Sequence, residues 1–288
     1  MNIYSKLDNT YISKKYHDIN ILREVMNEAE QENNENKDNV YPKIDNIIIS
    51  KQYDNIISNQ NDNDDDSLSN DGKKYMEPTI LENINLEKYF TRNDIEKAHL
   101  NNKKLKITDK GLYSISKYSD AQWITDNIIS FFNGQNINVA IQNIVDGTAG
   151  IGGNTINFSK YFKNIHAIEI NITHFNVLKN NLDALSIKNV NVYFDNFLNL
   201  INNLNSKIFF FDPPWGGKSY KNFKYFNLKI GKLPIYNIIN ILHDSGYKYV
   251  ILKAPFNLNL SPIFSSIKYE NMNINSNFKK NMILCIFY

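Results

Sequence analysis

The sequence has little cysteine, little glycine and almost no net charge. Of its 288 residues, one is cysteine and 11 are glycine, and the formal net charge is +2. A single cysteine excludes an intramolecular disulfide framework, and a charge near zero gives no overall field for nucleic acid, so any such contact must be local. Cys285 lies in the apolar run 282–287, where the expected role is a buried strand residue rather than a nucleophile.

Long apolar runs are also missing. No stretch approaches the roughly 18 apolar residues that a transmembrane helix needs, and the N-terminus lacks the apolar segment of a signal peptide. We therefore expect an intracellular protein of the nucleus or cytoplasm that does not contact a membrane, and a virus-encoded origin stays open. Hydrophobic residues make up 42% of the chain, which suffices for one large core. A monomer without bound metal is expected.

Composition divides the chain into three predicted regions. Tracts rich in Asn, Asp and Ser at residues 31–37 and 59–74 are typical of solvated linkers. Residues 1–75 are expected to be poorly ordered, with a short packed element around Ile47. Residues 76–136 are predicted to form a helical extension that contributes to a substrate site, with a short extended pair made by the KLKIT and GLYSIS segments.

Residues 137–288 alternate short apolar runs with longer amphipathic stretches. The pattern predicts strands that end at Val145, Ile168, Phe194, Phe211 and Leu252, followed by two late strands at 267–269 and 282–287. Helices are predicted at 154–162, 173–185, 198–204 and 234–243. This alternation favours a doubly wound, mostly parallel α/β sheet that ends in an antiparallel edge hairpin.

A glycine-rich loop follows the first predicted strand of this region and leads into a helix. Four of the 11 glycines fall between Gly147 and Gly153. Glycine permits positive φ and a close approach of a ligand to the backbone, beside the positive end of the next helix. The loop lacks the Gly-Lys-Ser/Thr ending of a phosphate-binding P-loop, although a dinucleotide dehydrogenase stays open from the loop alone. The candidate cofactor-binding residues are Asp146, Gly147, Thr148, Gly150, Gly152, Asn154 and Thr155.

Acidic and amide side chains end the next two predicted strands. Glu169 closes the second strand, where an acid can accept hydrogen bonds from both ribose hydroxyls of a nucleoside. Asp195 and Asn196 close the third strand, and either side chain could recognise an adenine amino group, with Phe194 or Phe197 against the ring. Asp-Asn after a strand is also ordinary turn chemistry.

The most specific motif is Asp212-Pro213-Pro214-Trp215-Gly216-Gly217, directly after a very apolar strand. An exocyclic amine of a nucleobase is a poor nucleophile because its lone pair is delocalised into the ring. The Asp212 carboxylate and the Pro213 carbonyl can accept its N–H groups, the prolines stiffen the turn, and Trp215 offers a flat surface for the base. A methyl group on a sulfonium centre is already activated, so positioning can supply most of the acceleration. The candidate catalytic residues are Asp212, Pro213 and Trp215.

Four segments together resemble the RNA cap guanine-N2 methyltransferases. They are Lys110 to Ser116 (KGLYSIS), Val145 to Thr155 (VDGTAGIGGNT), Ala167 to Asn171 (AIEIN) and Asp212 to Gly217 with Tyr220. The resemblance covers about residues 88–288. It implies a Rossmann-like class I fold that uses S-adenosyl-L-methionine, with residues 137–288 as the methyltransferase domain and capped RNA as the substrate.

The resemblance also implies roles for individual residues. Asp146, Gly150 and Glu169 would bind S-adenosyl-L-methionine, and Asn196 stands in the adenine-recognising place. Trp215 would stack on the cationic base of a 7-methylguanosine cap, which adds cation–π attraction of about 0.5–2 kcal/mol. Further candidates for substrate binding are Lys110, Ser114, Lys218, Tyr220 and Asn257. Lys103, Lys104, Lys106, Lys221 and Lys224 complete a basic patch for the triphosphate.

The sequence departs from the family pattern at two positions. Phe256 replaces the arginine of a Pro-Arg-Asn element that ends at Asn257, which puts one phosphate contact in doubt. Asp212 stands where the family often has Ser, and this is closer to the general amino-methyltransferases. Two alternatives therefore stay open: methylation of N6 of adenine or another base amine, and a non-catalytic cap- or RNA-binding module with the same fold.

Overall fold

The computed structural model describes residues 10–13, 78–82, 84–217 and 219–288. Most of the region predicted to be poorly ordered, including the element around Ile47, lies outside the described residues, so the three-region division stays a prediction. Within the described residues, the strands are β1 (Thr10–Ser13), β2 (Asn143–Asp146), β3 (Asn164–Glu169), β4 (Val190–Phe194), β5 (Ile208–Phe211), β6 (Lys229–Ile230), β7 (Leu233–Pro234), β8 (Tyr249–Pro255), β9 (Asn271–Asn277) and β10 (Met282–Phe287). The helices are α1 (Arg92–Leu100), α2 (Gly111–Ser114), α3 (Tyr118–Gly134), α4 (Gly153–Phe158), α5 (Ile172–Ala184), α6 (Phe197–Leu200), α7 (Ile235–Asp244) and α8 (Ser261–Ser266).

The main sheet has the strand order β1-β9-β10-β8-β5-β2-β3-β4 in the part of the chain that the structure describes. Strands β8, β5, β2, β3 and β4 are parallel to one another, whereas β10 runs antiparallel to both β8 and β9. The chain enters the parallel part at β2, moves outward through β3 and β4, and returns to the other side of β2 with β5. The C-terminal ends of β2 and β5 therefore flank the switch point where open α/β sheets bind ligands.

Both faces of this sheet are covered, which explains why its central strand is apolar throughout. All four residues of β5 are buried. Phe209 and Phe211 join a core with α7, and Ile208 and Phe210 join a second core with α3 and α5 on the other face. Because successive side chains of a strand point to opposite faces, a strand with helices on both sides must be apolar at every position.

The extension before β2 packs into the second core through Phe90, Ile107 and Ile124. Two hydrogen bonds also fix the position of this extension. The Asn181 side chain, fully buried on α5, accepts a hydrogen bond from the Lys106 N–H at 2.8 Å and donates to the Lys106 carbonyl at 3.0 Å. The loop that leads into α2 is therefore held against the parallel sheet.

Most element boundaries agree with the sequence-based predictions, but several expectations were wrong. The GLYSIS segment contains helix α2 rather than a strand, because the chain turns after Thr108, whose hydroxyl accepts the Gly111 N–H and whose carbonyl accepts the Leu112 N–H, each at 2.8 Å. The penultimate strand is β9 rather than residues 267–269, since its Asn-rich sequence masks a half-buried strand. Helix α4 ends at Phe158 rather than at 162, and α6 ends at Leu200 rather than at 204. Strand β8 continues to Pro255 rather than ending at Leu252. Cys285 is buried in β10 as expected, and burial raises the pKa of its thiol to about 12.

Candidate active site

Buried side chains beneath the glycine-rich loop hold it in place after β2. The Asp146 carboxylate is buried and accepts a hydrogen bond from the Thr155 hydroxyl at 2.6 Å, with the Thr148 N–H at 3.4 Å. Burial raises the pKa of Asp146 to about 7, and its hydrogen bonds to Thr155 and Thr148 oppose that rise. Asp146 therefore braces the loop from below.

Two glycines in this loop are required for different reasons. A Cβ on Gly147 would lie 2.4 Å from the ring of Phe209, so the backbone passes directly over that core side chain. Gly150 has φ of +56°, and a Cβ there would meet no atom within 4 Å. Its surface is open to the space above the loop, as a ligand cradle requires.

The acid at the end of β3 faces the same loop. One Glu169 oxygen accepts the Gly150 N–H at 2.8 Å, and the other accepts the Asn171 N–H at 2.8 Å. His174 lies nearby, with Nδ1 at 3.9 Å from the carboxylate. The carboxylate is thus oriented at the carboxyl edge of the sheet, where a ribose acceptor was predicted.

The end of β4 contributes a polar turn and an exposed ring. Asn196 caps α6, because its side-chain oxygen accepts the Leu198 N–H at 3.1 Å, and Asp195 accepts from the Asn199 amide at 2.8 Å. Phe197 is buried in the core, whereas Phe194 is 51% exposed. Of the two rings predicted beside adenine, Phe194 is therefore the one with a surface available to a ligand.

The turn after β5 is joined directly to the glycine-rich loop. The Asp212 backbone N–H donates to the Thr148 hydroxyl at 2.7 Å, so Thr148 links the ends of β2 and β5 across the switch point. The Asp212 carboxylate accepts a hydrogen bond from Lys253 Nζ at 2.6 Å and from the Ser116 hydroxyl at 3.4 Å. Burial raises the pKa of Asp212, whereas the ion pair with Lys253 and hydrogen bonds from Ser116 and Asn154 act to lower it.

Trp215, which was expected to offer a flat surface for the base, is half-buried. The Lys253 ammonium lies 5.2 Å from its ring centroid, and Tyr220 packs edge-on at 5.3 Å. Asn257 donates hydrogen bonds to the carbonyls of Tyr220 at 2.9 Å and Phe223 at 2.7 Å. Asn257 thus braces the segment after Trp215, and the structure gives it this role whether or not it also contacts a phosphate.

The predicted substrate residues fall into three groups. Pro213 is buried between Asp212 and Trp215. Ser114 and Lys110 are exposed on and before α2, and the Ser114 hydroxyl lies 3.5 Å from carbonyls of its own helix. Lys218 lies outside the described residues. It is Ser116, two positions beyond Ser114, whose side chain reaches Asp212.

The main functional candidate that the sequence analysis missed is Lys253. Its signal was a lysine inside the otherwise apolar β8 sequence Tyr-Val-Ile-Leu-Lys-Ala-Pro. A buried strand tolerates a lysine only when a partner compensates the charge, so the pattern itself predicts a buried acid nearby. Among the described residues, no helix is long and apolar enough to cross a bilayer, and no group of three or more His, Cys, Asp or Glu is arranged to hold a metal ion.

A Rossmann-like sheet with a glycine-rich loop after β2 and an Asp-Pro-Pro-Trp turn after β5 has the architecture of the class I methyltransferase fold. The chain belongs to the RNA cap guanine-N2 methyltransferase family, whose profile matches residues 141–287, slightly more than half of the sequence. Membership implies S-adenosyl-L-methionine as the methyl donor.

Two curated proteins and two solved structures are among the relatives. An uncharacterized protein of Acanthamoeba polyphaga mimivirus, L320, is 40% identical over 45% of this chain and 52% of its own length. Trimethylguanosine synthase of Schizosaccharomyces pombe is 32% identical over 40% of this chain and 48% of its own length. The chain thus matches about half the length of these curated relatives.

Solved structures show a more distant likeness. A Thermus thermophilus 16S rRNA N2 methyltransferase in complex with AdoMet and guanosine is 13% identical, with a TM-score of 0.45 over 58% of this chain and 42% of that one. An rRNA methylase from Streptococcus thermophilus is also 13% identical, with a TM-score of 0.37 over 51% of this chain and 88% of that one.

Proposed function

We propose that this protein transfers a methyl group from S-adenosyl-L-methionine to N2 of a 7-methylguanosine RNA cap. The observation that carries the proposal is the direct hydrogen bond of Asp212 N–H to Thr148. This bond places the acceptor proposed for the base amine next to the loop proposed for the cofactor. Family membership names the cap guanine, and the relative named trimethylguanosine synthase supports the same substrate.

The residues around the loop fit the proposed cofactor. Gly150 leaves open space over the backbone, and the Glu169 carboxylate is oriented at the sheet edge for ribose hydroxyls. Among the described residues, the Asn154 side-chain oxygen is buried and accepts no hydrogen bond, which leaves an acceptor for a ligand N–H. Asp195 or Asn196 would recognise adenine, with Phe194 against the ring. When bound, the cofactor supplies an activated methyl group on a sulfonium.

The chain itself supplies orientation and charge. The Asp212 carboxylate and the Pro213 carbonyl would accept the two N–H groups of the guanine amine and so aim its nitrogen toward the glycine-rich loop. Trp215 would stack on the base, and Tyr220 supports the indole edge-on. Residues 76–136 would contribute Ser116 and the basic surface around Lys110 to the substrate side. Positioning of this kind can supply a large part of a rate enhancement.

The test compares substrates with and without the 7-methyl group. Labelled S-adenosyl-L-methionine is supplied with 7-methyl-GTP, GTP or an adenine-containing oligonucleotide, and kcat/KM is measured for each. A preference for 7-methyl-GTP that Trp215→Ala largely erases and Trp215→Phe partly retains supports the cap assignment, since indole is the better cation–π surface. Trp123→Phe on α3 is the matched control, because it changes the other tryptophan of the chain, which packs against the core on the opposite face of the sheet.

Methylation of the N6 amine of adenine is the second candidate, favoured by Asp212 in place of the family's Ser. The same assay decides between them. Methyl transfer to the adenine oligonucleotide, with equal use of GTP and 7-methyl-GTP, would reject the cap assignment. Absence of transfer to any substrate, with cofactor still bound, would favour a binding module with a methyltransferase fold.

A further inference from the structure

Lys253 is a charged side chain in the middle of a buried strand. Six of the seven residues of β8 are buried, and Lys253 itself is 8% exposed. An ammonium group in such a place costs several kcal/mol of desolvation unless partners compensate it. A lysine here therefore needs a reason that an apolar residue would not satisfy.

The Lys253 ammonium lies beside three residues proposed to surround the target amine. It donates to Asp212 Oδ2 at 2.6 Å and to the Ser116 hydroxyl at 3.2 Å, and it lies 5.2 Å from the Trp215 ring centroid. Ser116 also donates to the same Asp212 oxygen at 3.4 Å. One oxygen of Asp212 is thus fixed by two donors from β8 and from the segment before α3.

The charges around Asp212 are otherwise unfavourable to a carboxylate. The Asp146 carboxylate on β2 repels the Asp212 carboxylate. Glu169 at the end of β3 also acts on Asp146, so the region carries further negative charge. Ser116 and Asn154 supply neutral hydrogen bonds, and Lys253 is the cation that pairs with Asp212. Without Lys253, burial and like charge would favour the protonated acid.

We propose that Lys253 is a positioning residue that keeps Asp212 ionised and fixes its orientation toward the base amine. The proposal rests on the proposed function, in which Asp212 accepts an N–H of that amine. A carboxylate can accept this hydrogen bond and also the proton that the nitrogen loses as it is methylated, whereas a neutral carboxylic acid would present a donor. Lys253 acts only through Asp212.

Lys253→Met tests this role, because Met keeps much of the length and apolar stem while removing the charge. At pH 7 we expect kcat to fall about 10²-fold, with KM for the cofactor and affinity for S-adenosylhomocysteine nearly unchanged. Loss of the cation raises the pKa of Asp212 further, so a larger fraction of the carboxyl is protonated at a given pH and this fraction falls as pH rises. The activity of Lys253→Met relative to the unmodified protein should therefore increase with pH, and Lys253→Arg should retain much of the activity at pH 7.

Lys268→Met is the matched control, because Lys268 forms a lysine–aspartate pair with Asp244 at 2.5 Å, but with both side chains about half exposed. Its kcat should stay within about twofold of the unmodified protein, since exposed pairs contribute little. In a background of Asp212→Asn, Lys253→Met should have almost no further effect on kcat. A pH profile of Lys253→Met parallel to that of the unmodified protein, or a full additional loss in the Asp212→Asn background, would overturn the proposal.

A second measurement needs no substrate and so separates this proposal from the proposed function. Carbon-13 NMR of aspartate carboxyls, with Asp212→Asn used to assign the resonance, gives the midpoint of the Asp212 titration directly. The midpoint should be higher in Lys253→Met than in the unmodified protein. Identical midpoints would refute the role of Lys253, whereas a clear shift in a protein that methylates no guanine nucleotide would refute only the substrate assignment.

Discussion

The two loops that flank the switch point are held by partners at very different distances along the chain. In the loop after β2, Asp146 is bonded to Thr155 nine residues away, and Glu169 to Gly150 nineteen residues away. In the turn after β5, Asp212 is bonded to Lys253 forty-one residues away and to Ser116 ninety-six residues away. We call the loop after β2 the cofactor side and the turn after β5 the amine side, after the ligands proposed for them. The cofactor side is therefore a local motif, whereas the amine side is assembled by the whole fold.

This difference predicts which property a substitution in each loop should change. Local bonds within one strand–loop–helix unit re-form whenever that unit folds, so single changes there should alter stability and cofactor affinity. The amine side depends on a buried ion pair between Asp212 and Lys253 and on a hydrogen bond from Ser116, so three distant segments of the chain must come together. A change there should reduce the rate of methyl transfer much more than the affinity for cofactor.

The largest effect is expected for Asp212→Asn. The amide is nearly isosteric but carries no charge, so it weakens the acceptor for the base amine and leaves Lys253 buried without its carboxylate. We expect kcat to fall about 10²–10³-fold, as when a well-placed electrostatic contact is removed from an active site. Affinity for S-adenosylhomocysteine, measured by calorimetry, should change little. Asp244→Asn, which removes the acid of the exposed pair, is the control and should leave kcat unaltered.

An equal loss of cofactor affinity and kcat in Asp212→Asn would contradict the comparison, because it would make the amine side part of the cofactor cradle.

A smaller effect, on stability, is expected for Gly147→Ala. The new Cβ would lie 2.4 Å from the Phe209 ring in the middle of the sheet, so that ring or the loop must move. Overpacking of this kind costs about 1–3 kcal/mol, and the thermal midpoint should fall by several degrees. Gly134→Ala at the end of α3 is the control, since its Cβ would meet no atom within 4 Å. A drop of similar size in the control would show that the effect is not specific to the loop.

Asp146→Asn should change the way in which the free energy of unfolding depends on pH. Burial raises the pKa of Asp146 to about 7 in the folded protein, above its usual value of 3.8. Between these values the folded state binds a proton that the unfolded state has lost, so the free energy of unfolding falls as pH rises through this window. The amide of the variant cannot titrate, so the part of the decline in unfolding free energy that comes from Asp146 should be absent in the variant. Urea unfolding at pH 5, 6, 7 and 8 measures the free energy of unfolding of both proteins.

A constant difference in unfolding free energy between Asp146→Asn and the unmodified protein across that range would show that Asp146 is ionised throughout. Titrating groups that do not interact with Asp146 are common to both proteins and cancel in the comparison, whereas the charges of Asp212 and Glu169 are coupled to it.

The same contrast explains what the sequence could predict. The glycine-rich loop and Glu169 are signalled by residues close together in the chain, and the structure joins them by a hydrogen bond at the carboxyl ends of β2 and β3. The Asp-Pro-Pro-Trp turn was also recognised, but its partners Lys253 and Ser116 were not. Nothing near Ser116 distinguishes it from Ser114, because only the fold decides which hydroxyl reaches Asp212. The turn of α2 was missed for a related reason, since it depends on the hydrogen bond from the Gly111 N–H to the Thr108 hydroxyl.

The smallest effect is expected at the outer end of a row of aromatic rings. The row starts at the half-buried Trp215, whose ring centroid lies 5.3 Å from that of Tyr220. The centroids of Tyr220 and Phe226 are 6.1 Å apart, and those of Phe226 and Phe223 are 6.2 Å apart. Phe223, at the outer end, is 53% exposed. If Trp215 takes the cap base, Phe223 is placed to stack on a later nucleotide, where one stacked base is worth about 1–3 kcal/mol. Phe223→Ala should therefore lower kcat/KM for a short capped RNA about fivefold, at the weak end of that range, and leave kcat/KM for 7-methyl-GTP nearly unchanged. Ile141→Ala, an exposed apolar residue just before β2 and so at the amino end of the parallel strands, should affect neither substrate. Equal losses on both substrates would mean that Phe223 supports the turn itself, and the amine side would then extend to the surface of the molecule.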